Sequence, residues 1–253
     1  MTTTIREKAP FVWILAACAF FSGDVLAEQP AGKKLPSSIS IGIPMKGSLS
    51  QGEVLPKRGS GYVMTAETRK RRARFAVKEL INLVKEAAFK VQRKHNGSLL
   101  RVADLSSRTG GRIDHHGSHQ NGRDVDLLFY LLDKQGRPVS TELFIPIDAN
   151  GYSTDPPLEY RFDVKRNWAL IEALLRSRKA VVQWIFISKH IKSLLIEHAK
   201  TIKASPKIIR KASQVLSQPG RKTHMDHFHV RIYCPSGDKP QCRDVGPRWA
   251  WTR

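Results

Sequence analysis

His224-Met225-Asp226-His227-Phe228-His229-Val230-Arg231-Ile232-Tyr233 reads as a strand from His227 onward. Polar and apolar residues alternate there with the two-residue period of an extended chain that has one covered face. Phe228, Val230 and Ile232 turn toward a core, and His227 and His229 share the other side. About a hundred residues upstream runs His115-His116-Gly117-Ser118-His119-Gln120-Asn121-Gly122-Arg123-Asp124-Val125-Asp126. It leads into a second strand, Asp124 to Leu131, on which Asp124, Asp126, Leu128 and Tyr130 share a face. Six of the nine histidines fall in these two stretches, and histidine is the commonest metal ligand.

Outward from these strands the chain mixes helices and strands without strict alternation. Residues 67–94 place Phe75, Leu80, Leu83, Val84, Ala87 and Val91 near a 3.6-residue period and predict one long amphipathic helix, stopped by Asn96-Gly97. Leu99–Leu105 is strand-like, Gly110-Gly111 marks a turn, and Leu143–Ile147 is a short strand candidate. A helix is expected over Asn167–Arg178 and a strand over Val181–Ile187. Ser188 caps a helix over 189–203, and a last helix opens at Pro206 and ends by Pro219-Gly220. The pattern predicts an α+β fold: a mostly antiparallel central sheet with flanking helices in a single domain. Residues 28–62, rich in Gly, Pro and Ser, are expected to be irregular. Residues 63–234 are expected to form the core and 235–253 a tail.

The formal net charge is +21, which implies an anionic partner such as nucleic acid, acidic lipid or an acidic polymer. Arg6 and Lys8 precede an apolar run, Ala9–Phe21, too short to span a bilayer. Residues 1–27 therefore read as a secretory signal cut after Ala27. Leu15-Ala16-Ala17-Cys18 resembles a lipoprotein cleavage box and stands as the minority reading. In an exported chain, Cys234 and Cys242 are expected to form a disulfide closing a Pro/Gly turn.

The glycine at Gly122 lets the chain turn so that His119 folds back beside Asp126. Two imidazoles and a carboxylate with an open fourth position suit catalytic zinc, one ion, with a neighbouring histidine as general base. In that division of labour His229 ligates and His227 sits near the water. His224 is a candidate for a catalytic role, and His115 and His116 are weaker candidates. A serine hydrolase is excluded, because no Gly-x-Ser-x-Gly elbow occurs.

Ser118-His119-Gln120-Asn121-Gly122-Arg123-Asp124-Val125-Asp126 and His224-x-x-His227-x-His229-Val230-Arg231 resemble the two signatures of the penicillin-insensitive murein endopeptidases. That family belongs to the wider metallopeptidase group of lysostaphin, the D-Ala-D-Ala carboxypeptidases and the Hedgehog domain. Ser40-Ile41-Gly42, Gly47-Ser48-Leu49, Leu55-Pro56-x-x-Gly59-x-Gly61-Tyr62 and Cys234-Pro235 extend the likeness over residues 38–245. The resemblance implies zinc held by His119, Asp126 and His229, with His227 as base or transition-state stabiliser and His224 as a further active-site histidine. It implies hydrolysis of D-alanyl–diaminopimelate cross-links in peptidoglycan, without an acyl-enzyme, in the periplasm. Arg112 and Arg231, with Arg221 and Lys222, are the candidates for reading stem carboxylates. Two other readings stay open: a zinc D-Ala-D-Ala carboxypeptidase, and a wall-binding module with a vestigial metal site. No nucleic-acid partner is expected, since the chain reads as exported and carries no recognised module.

Overall fold

A computed structural model of the chain describes residues 1–2, 37–154, 159–220 and 224–252. Nearly all of the leader expected at 1–27, Cys18 included, lies outside the described residues, as do Arg221 and Lys222. The described residues from 37 onward pack as one unit.

The alternating stretch forms the His227–Ile232 strand, inside a seven-stranded sheet. Across the sheet the order is Leu216–Ser217, Val182–Phe186, His227–Ile232, Asp124–Leu128, Leu100–Val102, Tyr62–Met64 and Arg58–Gly59. The three pairings around the His227–Ile232 and Asp124–Leu128 strands are antiparallel. Leu216–Ser217 joins in parallel, as does Tyr62–Met64 on Leu100–Val102. The sheet is thus mostly antiparallel, as the sequence pattern predicts.

Register decides which side chains meet. His229 lies opposite Asp126, and Arg231 opposite Asp124. Residues directly opposed on an antiparallel pair project to the same face. That face therefore carries His227, His229, Arg231, Asp124 and Asp126. The other face carries Phe228, Val230, Ile232, Val125 and Leu127, all fully buried. They join one apolar core with the inner residues of helices α2 (Lys78–Lys94), α3 (Val164–Arg176), α4 (Lys189–Thr201) and α5 (Pro206–Val215). Helices cover one face, and the polar row is left on the other.

Three local expectations are corrected. The helix expected over 67–94 is two helices: α1 (Ala66–Arg71) ends at Arg72, whose φ is 57°, and Phe75–Ala76 is extended before α2 begins. Phe75 exchanges backbone hydrogen bonds with Ser106, and Val77 N–H donates to the Gly122 carbonyl; these tertiary pairings outbid local helix propensity. Residues 39–50, expected to be irregular, form a hairpin of Ile39–Ile43 with Lys46–Ser50. Its glycines are structural: a Cβ on Gly47 would stand 2.3 Å from the Ile41 carbonyl oxygen. Leu143–Ile147 is not a strand and contributes only an isolated bridge, Ile147 to Ser153. Ser188 does stand at the N-cap of α4, although its hydroxyl makes no capping bond.

The Cys234–Cys242 disulfide is formed, with Cα atoms 5.8 Å apart. It holds the C-terminal segment where the Asp238 carboxylate accepts from Ser40 N–H at 2.8 Å and Gln241 accepts from Gly42 N–H. Fully buried Arg123 donates to the Ile232 and Arg243 carbonyls and to Asp244. The end of the chain thereby anchors the hairpin whose tip, Met45, borders the polar face.

Candidate metal centre

The polar face opens into a cleft of about 590 Å³. Its walls include Met45, His116, Asp126, His224, His227 and His229. His119 lies beneath, fully buried. Residues a hundred positions apart thus meet in one place, with Asp126 at the centre. Its Oδ1 is 3.4 Å from His119 Nε2, 3.6 Å from His229 Nδ1 and 3.6 Å from His227 Nε2. His116 Nδ1 lies 3.6 Å from the other oxygen.

His119 is held from three directions. Its Nδ1 is 2.8 Å from the Leu105 carbonyl, its N–H donates to Asp124 Oδ2 at 3.0 Å, and its carbonyl accepts from Ser106 Oγ at 2.5 Å. Because a carbonyl can only accept, Nδ1 carries a proton and Nε2 is the nitrogen turned toward Asp126. Gly122 turns at φ 75°, as the fold-back requires, and His119 itself adopts φ 66°. His115 (φ 67°) and His224 (φ 42°) also occupy the left-handed region. Each such non-glycine residue costs on the order of 1–3 kcal/mol, and strain of this kind collects at functional sites.

Two carboxylates stand on this face, and their partners separate them. Asp124 is saturated: Arg231 grips it through Nε at 2.6 Å and Nη2 at 2.9 Å, and His119 N–H adds a third bond. Asp126 Oδ1 is buried with no hydrogen-bond partner, and so are His119 Nε2 and His229 Nε2. A buried polar atom without a partner costs about 1–3 kcal/mol; His229 Nε2 faces Asp124 Oδ2 at 3.6 Å, whereas His119 Nε2 and Asp126 Oδ1, 3.4 Å apart, mark a place where something else supplies the partner. In tetrahedral zinc sites with bonds of 2.0–2.1 Å, neighbouring ligand atoms stand roughly 3.3–3.5 Å apart. The 3.4 Å between His119 Nε2 and Asp126 Oδ1 matches that edge, the 3.6 Å spacings stand slightly outside it, and the donor set of imidazoles and carboxylate suits the ion. His116, His119 and Asp126, and separately His119, Asp124 and His229, present donors within 4.8 Å of one another. The occupied oxygens of Asp124 argue for Asp126 as the carboxylate.

The electrostatics follow from this packing. Burial alone would raise Asp126, but the imidazoles of His119 and His227 outweigh it and hold the carboxyl far below the usual range. Burial would depress His119, yet Asp126 raises it to about 9. His227 also rises against its burial, because Asp126 and Asp226 face it. Its Nδ1 is 2.6 Å from Asp226 Oδ1. His224 is pushed down to about 4 by burial and by His227 and His229. Burial lowers His229.

Arg112 is exposed and is not part of the cleft wall. Arg231 borders the cleft, but its fork is committed to Asp124, a different task from the carboxylate reading expected of it. Sequence reasoning passed over Asp104. This buried carboxylate accepts from Thr68 Oγ1 at 2.7 Å, pairs with Arg71 at 2.8 Å and meets His116 Nε2 at 3.0 Å. It aims His116 into the cleft. Ser106, which bonds the His119 carbonyl and Gly122 N–H, was equally silent; neither residue carries a motif of its own.

Comparison with known proteins adds independent findings. The family model described as penicillin-insensitive murein endopeptidase matches residues 40–248. A protein of that name from Klebsiella pneumoniae (strain 342) is 29% identical over 224 residues, covering 87% of this chain and 73% of its own. Another, from Salmonella paratyphi C (strain RKS4594), is 27% identical over 242 residues, with 91% and 81% covered. A third, from Escherichia coli O157:H7 (strain EC4115 / EHEC), is 28% identical over 215 residues, with 82% and 70% covered.

Proposed function

The chain belongs to the penicillin-insensitive murein endopeptidase family and is a peptidoglycan-hydrolysing peptidase, and we propose that it is a zinc enzyme cutting D-alanyl–diaminopimelate cross-links between stem peptides. The observation that carries the zinc reading is the pair of unpartnered buried atoms His119 Nε2 and Asp126 Oδ1, 3.4 Å apart, with His229 Nδ1 3.6 Å from the same oxygen. His119, Asp126 and His229 would hold one ion. Zinc, when bound, supplies Lewis acidity that polarises a carbonyl and makes water a usable nucleophile at neutral pH.

The chain's own groups handle the protons. His227, backed by Asp226 at 2.6 Å, takes the proton of the attacking water on Nε2 and returns it to the departing amine. His224, kept neutral by its depressed pKa, stands 5.1 Å from His227 between ring centroids and steadies the developing charge. No covalent acyl-enzyme is needed, and Cys234 and Cys242 are tied in a disulfide. The commitment of Arg231 to Asp124 favours an endopeptidase over a carboxypeptidase, which needs a free guanidinium for a terminal carboxylate. The net charge of +21 draws the protein to the anionic wall. We place it in the periplasm, exported by the leader at 1–27. Among the described residues no helix is long and apolar enough to cross a membrane.

Digestion of purified cross-linked dimeric muropeptides tests this reading. Monomers should appear, vanish with a chelator and return with added zinc. Release of D-alanine alone would favour the carboxypeptidase, and activity indifferent to chelation would remove the metal.

A further inference from the structure

The segment after Val139 reaches the cleft, where Pro146 forms part of the wall, and it is held at both ends. On one side Arg101 donates to Ser140 Oγ at 2.8 Å and to Glu142 Oε1 at 2.9 Å, and Ala66 N–H donates to Glu142 Oε2 at 2.7 Å. On the other, Ile147 N–H donates to the Met225 carbonyl at 2.9 Å, and the Ile147 carbonyl lies 2.7 Å from His190 Nε2. Ile145 and Ile147 are buried in the core. Between these anchors Leu143 and Phe144 stay out of it, 56% and 38% exposed.

Single apolar side chains are common on any protein surface. Leu143 and Phe144 differ in two respects. They are neighbours on a pinned segment, so their exposure is set by the fold and not by a loose loop. They also stand beside the catalytic groups, because the Phe144 ring meets the His227 ring nearly at right angles, centroids 5.1 Å apart. His229 lies two residues farther along the same strand, roughly 7 Å away, and Arg231 two beyond that. Met45 marks the far end, its Sδ 3.9 Å from Arg231 Nη1. Phe144 therefore flanks the His227 end of the cleft alone.

We propose that Phe144, with Leu143, forms the subsite for the aliphatic chain that carries the departing amine. The inference rests on the zinc endopeptidase reading, and it adds the residues that select the amine-side partner. To receive its proton the amine must come within hydrogen-bond reach of His227 Nε2. The carbon chain behind it is thereby brought to the ring that flanks His227. In a D-alanyl–diaminopimelate cross-link that chain is a run of methylenes. Laid against Phe144 and Leu143 it withdraws apolar area from water on both sides. A glycyl amine has no such chain to bury. The anchors at Glu142 and Ile147 fix the shelf before the substrate arrives, which spares the entropy of ordering it.

Two synthetic substrates with the same D-alanyl donor stem test the subsite. One acylates the amine of diaminopimelate, the other the amine of glycine, which lacks the methylene chain. Each is measured with the full zinc-loaded protein as substrate, or as competitive inhibitor where turnover is too slow to follow. The wild-type protein should prefer the first. Missing methylenes cost about 10–200-fold in an enclosed pocket, and less on a half-open shelf, so the preference should fall about three- to tenfold in Phe144→Ala. The loss should appear in KM, and Phe144→Leu should restore most of it. Leu143→Ser should shift the preference in the same direction, which keeps the test independent of the ring against His227. Zinc content, measured directly, should equal the wild type's in all three variants. A preference unchanged in both Phe144→Ala and Leu143→Ser overturns the subsite and leaves the endopeptidase reading standing. So does an equal fall in kcat on both substrates, because the ring would then only support His227. If the wild-type protein cleaves neither substrate, the endopeptidase reading has failed, and the subsite falls with it.

Discussion

Asp124 and Asp126 differ by two positions and face the same cleft, yet their partners give them different tasks. Asp126→Asn should abolish metal binding while leaving the fold, because the carboxylate it removes has no hydrogen bond on Oδ1. Asp124→Asn should cost roughly 3–5 kcal/mol of stability, the usual result of leaving a buried arginine without its anion. Metal content and denaturant unfolding of the two variants check the contrast. Equal metal loss with equal stability would merge the two roles. His227→Ala should keep the metal and lose about 10²–10⁴-fold in kcat, measured on cross-linked dimers at saturating zinc. At this scale the sequence was highly legible. Alternation placed His227 and His229 on one face, and Gly122 announced the turn that returns His119 to Asp126. What it hid were partners with no spacing signature: the Leu105 carbonyl on His119, the Arg231 fork on Asp124, and Asp104 behind His116.

At the scale of elements, the short helix α1 is the unforeseen feature. The apolar period runs on through residues 67–94, so local pattern alone gives one helix. The break exists because Phe75 and Val77 are claimed by Ser106 and Gly122, contacts far away in sequence. Its consequence is functional, since α1 then presents Thr68 and Arg71 to Asp104. Partners that fix the ring of a metal-ligating histidine are commonly worth 10–100-fold in activity or metal affinity, and His116, 3.6 Å from Asp126, offers a donor to the same cluster. Asp104→Asn should therefore lower kcat about tenfold or more with little change in KM, whereas a merely structural role would move the unfolding midpoint and leave kcat alone. The sheet itself was legible because its two central strands carry their own periodicity. The hairpin at 39–50 was not, because its glycines and serines read as loop until the close approach at Gly47 is seen.

On the scale of the whole molecule, the two ends of the described fold are sewn together beside the site. The disulfide, Asp238, Arg123 and Asp244 tie the tail to the hairpin that ends at Met45 and to the last turn of the central strand. Replacing Cys234 and Cys242 with serine should cost about 2–3 kcal/mol for a loop this short, read as a drop in Tm. Reductant should reproduce the drop in the wild-type protein and have no effect on the variant. The cysteine pairing and the basic charge were both plain in the sequence.

The central claim is that His119, Asp126 and His229 share one zinc ion. Anomalous scattering at the zinc edge, from crystals grown with the metal, tests it most directly. The account predicts a single peak within about 2.0–2.2 Å of one nitrogen of each histidine and one oxygen of Asp126. A peak bound instead to Asp124, or none at this cluster, would contradict it.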